Sequence, residues 1–271
     1  MNIQEIQSLQ HPRLEHFRTL RERAHHYREG CFVAEGEKVV RALLESNLSV
    51  LSMLSTVDWL HKFSSVLDDD RFADMDVYLA PAALLDGIVG FKLHQRIMAL
   101  GRIPDNAPRE TFMHSAGTTA VFVALQGMAD AENMGMILRN CAAFGVHGVL
   151  VGSDSCSPWL RRSVRVSVGT LFKLRIRQCD DVQQELRILR DSYDLRIIAV
   201  SPRKGGLLSP HRGPLCLLFG GEARGLADSA LEMCDGVFSI PMHNEVDSIN
   251  VANAVAVALY ATTSVLRQNK F

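Results

Sequence analysis

Net charge is almost absent from this sequence of 271 residues: 29 lysines and arginines face 30 acids, for a formal charge of -1. A polyanion such as RNA or DNA would therefore be recognised by a local basic surface and not by the field of the whole chain. Paired cysteines are missing too. The six present (Cys31, Cys141, Cys156, Cys179, Cys216, Cys234) form no C-x-x-C pair, and some lie inside apolar runs such as "LCLLF". That spacing excludes a zinc ribbon and argues for reduced, buried thiols; no metal site is expected. The opening "MNIQEIQSLQHPRLEHF" lacks the apolar core of a secretory signal, and no apolar stretch is both long enough and free of turn signals to span a bilayer. A cytoplasmic location is the expectation. Internal repeats and low-complexity segments are also lacking. No G-x-G-x-x-G follows the first strand of the second half, which argues against an ordinary dinucleotide fold.

What is present alternates between helical and extended patterns. "HPRLEHFRTLRERAHHYREG" spaces Leu14, Phe17, Leu20 and Ala24 as a helix does, and Gly30 supplies a stop. Then come strand "CFVAEG", helix "EKVVRALLES", strand "LSVLSML", helix "VDWLHKFSSVL", strand "MDVYLA" and helix "PAALLDGIVG", with Pro81 suited to its first turn. Residues 1–105 thus read as a small α/β domain. Periodicity fails and prolines cluster over "GRIPDNAPRETFMHSAGTT", so the boundary is placed near residues 102 to 118. Residues 119–271 read as a second domain. Its strands "AVFVALQ", "GVLVG", "LFKLRI", "LRIIAVS", "PLCLLFG" and "VFSIP" alternate with helices, which predicts a parallel sheet covered on both faces. Ligands of such sheets bind at the carboxyl ends of the strands.

Three stretches stand at those ends. In "LQGMADAENMGMILRNCAAFG" a strand stops at Gln126, Asn133 is suited to cap the helix from about Asn133 to Phe144, and Arg139 sits in a mostly apolar surround. "LCLLFGGEARGL" ends a buried strand on Gly220, Gly221 and Glu222; tight turns alone account for many such glycines. After "VFSIP", Ser248 reads as the N-cap of the final helix, whereas Asn250 is a poor choice for helix propensity alone. The following "VANAVAVALY" is apolar nearly all round, so it must be buried in a core or against another subunit. Separately, "RRSVRVSVGTLFKLRIR" carries Arg161, Arg162, Arg165, Lys173, Arg175 and Arg177 without an acid. In an arbitrary chain a solvated charged face explains such a run.

Taken in order, these stretches resemble the SpoU/TrmH family of RNA ribose 2′-O-methyltransferases, within the SPOUT superfamily. Asn133, Gly135 and Arg139 of "NMGMILR" fall on the family's first motif, "FGGEARGL" on its second, and "IPM" with "SINVANAVAVALY" on its third. "RVSVGTLFKLRI" looks like its R-x-S-x-G segment. Ala131 departs from a common proline and Ile249 from a common leucine. The first domain is similar, on the strength of "EGEKVVRALLES", to a ribosomal-protein-like substrate-binding domain.

The resemblance implies a sheet whose C-terminal segment threads a deep trefoil knot, a homodimer formed through that domain, and S-adenosylmethionine as cofactor. It implies a cofactor site at Val200, Ser201, Phe219, Gly220, Gly221, Glu222, Ile240, Met242, Ser248, Ile249 and Asn250, with Arg139, Asn133, Ser248 and Asn250 at the chemistry. The first turn of the last helix would close over cofactor and target ribose. Arg139, charged in any protein environment, would hydrogen-bond the nucleophile and the adjacent phosphate, reaching across the dimer. Arg161, Arg162 and Arg165 would grip the RNA backbone. The expected substrate is structured RNA, ribosomal ahead of transfer RNA. A non-catalytic RNA-binding relative and a small-molecule nucleotide enzyme are the rival readings; the first should lose Arg139, Asn250 or the glycine turn, and the second lacks its phosphate loop.

Overall fold

A computed structural model describes the chain except residues 9, 20–28, 90–94, 203, 204, 207–212 and 269–271; side chains at 89 and 264–268 are also outside the description. Residues 20–28 of the expected first helix therefore lie outside the described residues. The chain forms two units: Met1–Asp105 with Trp159–Phe172, and Asn106–Pro158 with Lys173–Phe271. This corrects the expected division at one point, because 159–172 joins the first unit although it lies within the second stretch of sequence.

The first unit contains strands β1 (Asn2–Glu5), β2 (Cys31–Glu35), β3 (Val50–Ser55), β4 (Asp76–Leu79) and β5 (Ile97–Arg102) in the order β1-β4-β3-β5-β2. β1, β4 and β3 run parallel, and β5 is antiparallel to both β3 and β2. Around the sheet stand helices α1 (Glu15–Arg18), α2 (Glu37–Leu44), α3 (Val57–Leu67) and α4 (Ala82–Val89). Pro81 immediately precedes α4 and opens its first turn, its carbonyl accepting from the N–H groups of Leu84 and Leu85. One core gathers Leu14, Phe17, Val33, Leu54, Met98 and Leu100. Phe32 projects from β2 against the rings of Trp159 and Phe172, at centroid distances of 5.0 and 5.4 Å. These ring contacts join 159–172 to β2 within this unit.

The second unit is built on an all-parallel sheet. It comprises β6 (Val121–Gln126), β7 (Gly148–Gly152), β8 (Ile176–Cys179), β9 (Arg196–Val200), β10 (Leu215–Gly220) and β11 (Gly236–Phe238), ordered β11-β9-β10-β6-β7-β8. The inner strands are buried along their length, which explains their uninterrupted apolar sequences. The expected strand "LFKLRI" is instead a 3-10 turn over Thr170–Lys173 followed by β8, which starts at Ile176. Flanking helices are α5 (Arg109–Met113), α6 (Ala131–Ala143), α8 (Val182–Tyr193), α9 (Asp228–Glu232) and α10 (Val251–Gln268), while α7 (Arg161–Val166) belongs to the first unit. Leu186 and Leu189 of α8 pack on Phe122, Leu150, Ile197 and Leu218 of the sheet. Along the chain the strands move outward from β6 to β8, then resume at β9 on the other side of β6. The sheet thus has a reversal beside β6 and β10, the place where parallel sheets open a crevice at their carboxyl ends.

Among the described residues no helix is long and apolar enough to cross a membrane. The six cysteines stand outside any disulfide. Burial pushes Cys31 up to about 11, aided by Glu29, and Cys179 up to about 12, aided by Glu185, so both stay protonated at neutral pH.

Candidate active site

The reversal in the sheet opens into a cleft of about 740 Å³ at the ends of β9 and β10. All eleven residues expected at the cofactor line it: Val200 and Ser201 from β9, Phe219 to Glu222 from β10 and its turn, Ile240 and Met242 from the following loop, and Ser248 to Asn250 from the approach to α10. Sequence reasoning missed Arg224, Gly225, Leu226, Asp247, Val251 and Ala254, which line the same cleft. Proximity along the chain to motif residues was the signal that could have found them.

The turn after β10 is shaped by close backbone packing. A Cβ on Gly220 would overlap the backbone of Gly225 and Leu226, and one on Gly221 would overlap the carbonyl of Gly127, which follows β6. Gly225 has a φ of 63 and its N–H donates to Gly221 O at 2.9 Å. Only glycine allows this crossing, so these glycines hold two strand ends together in addition to leaving room at the cleft.

A chain of side-chain hydrogen bonds joins the three motifs. Asn250 Nδ2 donates to Asn133 Oδ1 at 2.9 Å, and Asn133 Nδ2 donates to Glu222 Oε1 at 2.7 Å. Glu222 Oε2 also accepts from the N–H of Ala129 at 3.4 Å. Asn133 is 6% exposed, and its amide is satisfied at both ends. Asn140, about two turns further along α6, donates to the carbonyl of Ala252 at 2.9 Å and ties the same two helices.

Two capping assignments change. α6 starts at Ala131, and the residue accepting at its N-terminus is Asp130, whose carboxylate takes the Glu132 N–H at 2.8 Å. Asn133 is thus not the cap but a residue of the first turn turned inward. Ala131 occupies the first helical position, where proline is tolerated because its missing N–H has no intrahelical partner. Likewise α10 starts at Val251, and Asn250 is its cap: Oδ1 accepts from the Ala252 N–H at 2.8 Å. Ser248, read as the cap, lies two residues earlier on the cleft wall. Asn250 therefore does two things, closing the helix end with its oxygen and reaching Asn133 with its nitrogen.

Arg139 stands apart. It is exposed on α6 and does not line the cleft of its own chain. The last helix also keeps an uncovered face: Ala252, Val255, Ala258 and Leu259 are buried, but Val257 is 42% exposed and Tyr260 66%.

Of the three arginines expected on RNA, Arg161 is engaged by Glu35, a β2 residue only 8% exposed, which accepts from Arg161 Nε at 2.6 Å. Arg165 Nη1 lies 4.0 Å from the same carboxylate. The run that looked free of acid has its acid supplied from a distant part of the sequence, and Arg161 is held in an ion pair within the first unit. Arg162 is exposed.

Comparison with known proteins bears on this geometry. The profile of the SpoU rRNA Methylase family matches residues 120–260. An uncharacterized tRNA/rRNA methyltransferase of Mycobacterium tuberculosis is 31% identical over 97% of this chain and 92% of its own. A 23S rRNA (guanosine-2'-O-)-methyltransferase of Yersinia pestis, RlmB, is 28% identical over 83% of this chain and 94% of its own. Among solved structures, an AdoMet-bound rRNA methyltransferase from Sinorhizobium meliloti has the same fold, with a TM-score of 0.84 at 21% identity over 97% of this chain and 98% of that one. With its three motifs linked through Asn250, Asn133 and Glu222 beside one cleft, this chain belongs to the SpoU rRNA Methylase family.

Proposed function

We propose that the protein is an RNA methyltransferase that moves a methyl group from S-adenosylmethionine to the 2′-hydroxyl of a ribose in ribosomal RNA. The observation that carries this reading is the hydrogen-bonded chain Asn250–Asn133–Glu222, which ties all three family motifs to the rim of a single cleft. The relatives named as 23S rRNA (guanosine-2'-O-)-methyltransferases support ribosomal RNA over transfer RNA.

The cleft suits the cofactor. Its volume lies within the roughly 300–1,000 Å³ of small-molecule sites. Phe219, Leu226, Ile240 and Ile249 offer apolar surface for a base, and the described charges on its wall are two carboxylates, Glu222 and Asp247, against one guanidinium, Arg224. That excess of acid complements a ligand carrying sulfonium and ammonium charges with a single carboxylate. When bound, the cofactor supplies a methyl group activated by its positive sulfur.

The remaining work falls to the chain. Asn133 fixes Asn250, Asn250 fixes the start of α10, and the wall that meets both ligands is thereby held in one geometry. Alignment of this kind contributes roughly 7–11 kcal/mol where a nucleophile is held in line. Arg139 stabilises negative charge growing on the ribose oxygen by hydrogen bonding, while the hydroxyl proton passes to solvent and S-adenosylhomocysteine leaves as the other product. Because it does not line its own cleft, Arg139 serves the cleft of a second copy, with the uncovered Val257 and Tyr260 face of α10 within the dimer interface. A knotted C-terminal segment, RNA binding by the first unit and a cytoplasmic setting complete the proposal.

Protein incubated with methyl-labelled cofactor and protein-free ribosomal RNA should yield label in alkali-resistant dinucleotides, the mark of a blocked 2′-hydroxyl. Label found only in bases would refute the ribose assignment. Cofactor binding with no transfer to any RNA would favour a non-catalytic relative.

A further inference from the structure

Three charged side chains are found among the described residues of the cleft, and they are not equivalent. Glu222 is held by Asn133 and the Ala129 N–H. Asp247 and Arg224 are both exposed, and among the described residues Arg224 has neither an ion pair nor a hydrogen-bond partner. An unpaired guanidinium at the mouth of a ligand cleft faces whatever enters.

Its mounting is unusually fixed for an exposed residue. Arg224 lies between Gly221 and Gly225, whose backbones bond to each other at 2.9 Å, and the same turn is locked against Gly127 and Leu226 by contacts that leave no room for a Cβ. The base of the side chain is therefore placed by backbone packing, while its tip remains open to solvent.

A ribose presented for methylation brings its own charge. The 2′-hydroxyl is adjacent to the 3′-phosphodiester on the same ring, so no ribose reaches this mouth without a phosphate close behind it. Asp247 and Glu222 oppose that phosphate; Arg224 is the described cleft residue that can meet it. The cofactor, with its net positive charge and its need for burial, has less call for an exposed cation. We propose that Arg224 binds the phosphodiester 3′ to the target ribose and so sets the direction in which the strand enters the cleft. This rests on the methyltransferase reading and gives Arg224 a role separate from that of Arg139 at the ribose oxygen.

The test compares the parent protein with Arg224→Ala and Arg224→Lys. Affinity for S-adenosylmethionine is measured by calorimetry without RNA, and kcat/KM for methylation of protein-free ribosomal RNA is followed across salt concentrations. In Arg224→Ala, cofactor affinity should be unchanged and kcat/KM should fall about tenfold, the scale of one charge-assisted hydrogen bond. The plot of log kcat/KM against log salt should flatten by roughly 0.7–0.9, as expected for one lost phosphate contact. Arg224→Lys keeps the charge and should restore the slope. Weakened cofactor binding with an unchanged slope would overturn the proposal and assign Arg224 to the cofactor carboxylate; no change in either would make it an ordinary surface arginine. A parent that binds cofactor and methylates RNA isolates these outcomes to Arg224, whereas an inactive parent removes the methyltransferase reading and this proposal with it.

Discussion

Asn133 and Arg139 belong to one motif and one helix, six positions apart (139 − 133), yet their surroundings are opposite. At about 100° per residue that spacing turns Arg139 roughly 240° away from Asn133. Asn133 is buried, with both ends of its amide satisfied by Glu222 and Asn250. Arg139 is exposed and absent from the cleft wall. The inward face of α6 is satisfied within a single chain; the outward face carries an exposed arginine that does not line its own cleft. Under the proposal that this arginine serves a second copy, the two halves of the motif should fail differently when altered.

The largest difference should come from Arg139→Ala. Turnover should fall by about 10²–10³, as for loss of one donor to a developing oxyanion, with the unfolding midpoint unchanged. Mixing it with an inactive Asn250→Ala variant, after dissociation and reassembly, sharpens the comparison. If arginine and cleft come from different chains of a two-fold dimer, roughly a quarter of the parent's sites are rebuilt. Recovery of no activity despite proven mixed dimers would place Arg139 in its own chain's chemistry.

Asn133→Ala should damage both properties at once. It removes the Asn133 bonds to Glu222 and Asn250, two exposed residues that keep Ala129 and Ala252 as partners, a net loss of about 0.5–1.5 kcal/mol per bond in unfolding free energy, and loosens the start of α10. Denaturant titration alongside turnover measures the two effects; full stability with lost activity would mean that the hydrogen-bonded chain is not a scaffold. A small effect on stability is expected from Tyr260→Ser on the uncovered face of α10. Away from the folded core, its cost to a single chain should stay within about 0.5 kcal/mol, but sedimentation should show weakened self-association. An unchanged oligomeric state would remove this face from the interface.

The sequence made the strands and the cleft legible because both depend on local signals. Uninterrupted apolar runs announced β6, β7 and β10, and motif residues at successive strand ends marked the cleft wall. Partners distant in sequence were invisible. Ser248 satisfied every local rule for a cap, but Asn250 also had Asn133 to hold it, and the helix began two residues later than expected. Arg161 looked available because Glu35 lies far back in the sequence. β1 escaped notice since "NIQE" is short and exposed throughout, held by pairing with β4 and not by any apolar pattern of its own.

The placement of 159–172 has a bearing on heredity as well as on architecture. A unit appended to an enzyme by gene fusion is joined by one link and is removable at that link. Here the chain passes between its two units at 105/106, 158/159 and 172/173. The Trp159 and Phe172 rings against Phe32, and the Arg161 bond to Glu35, make the borrowed segment part of the first unit's interior. No single cut or recombination point separates the two intact. The pair must therefore be inherited together, and a substitution in "FVAEG" is answerable to residues more than a hundred positions downstream, within the stretch of chain that the family profile matches.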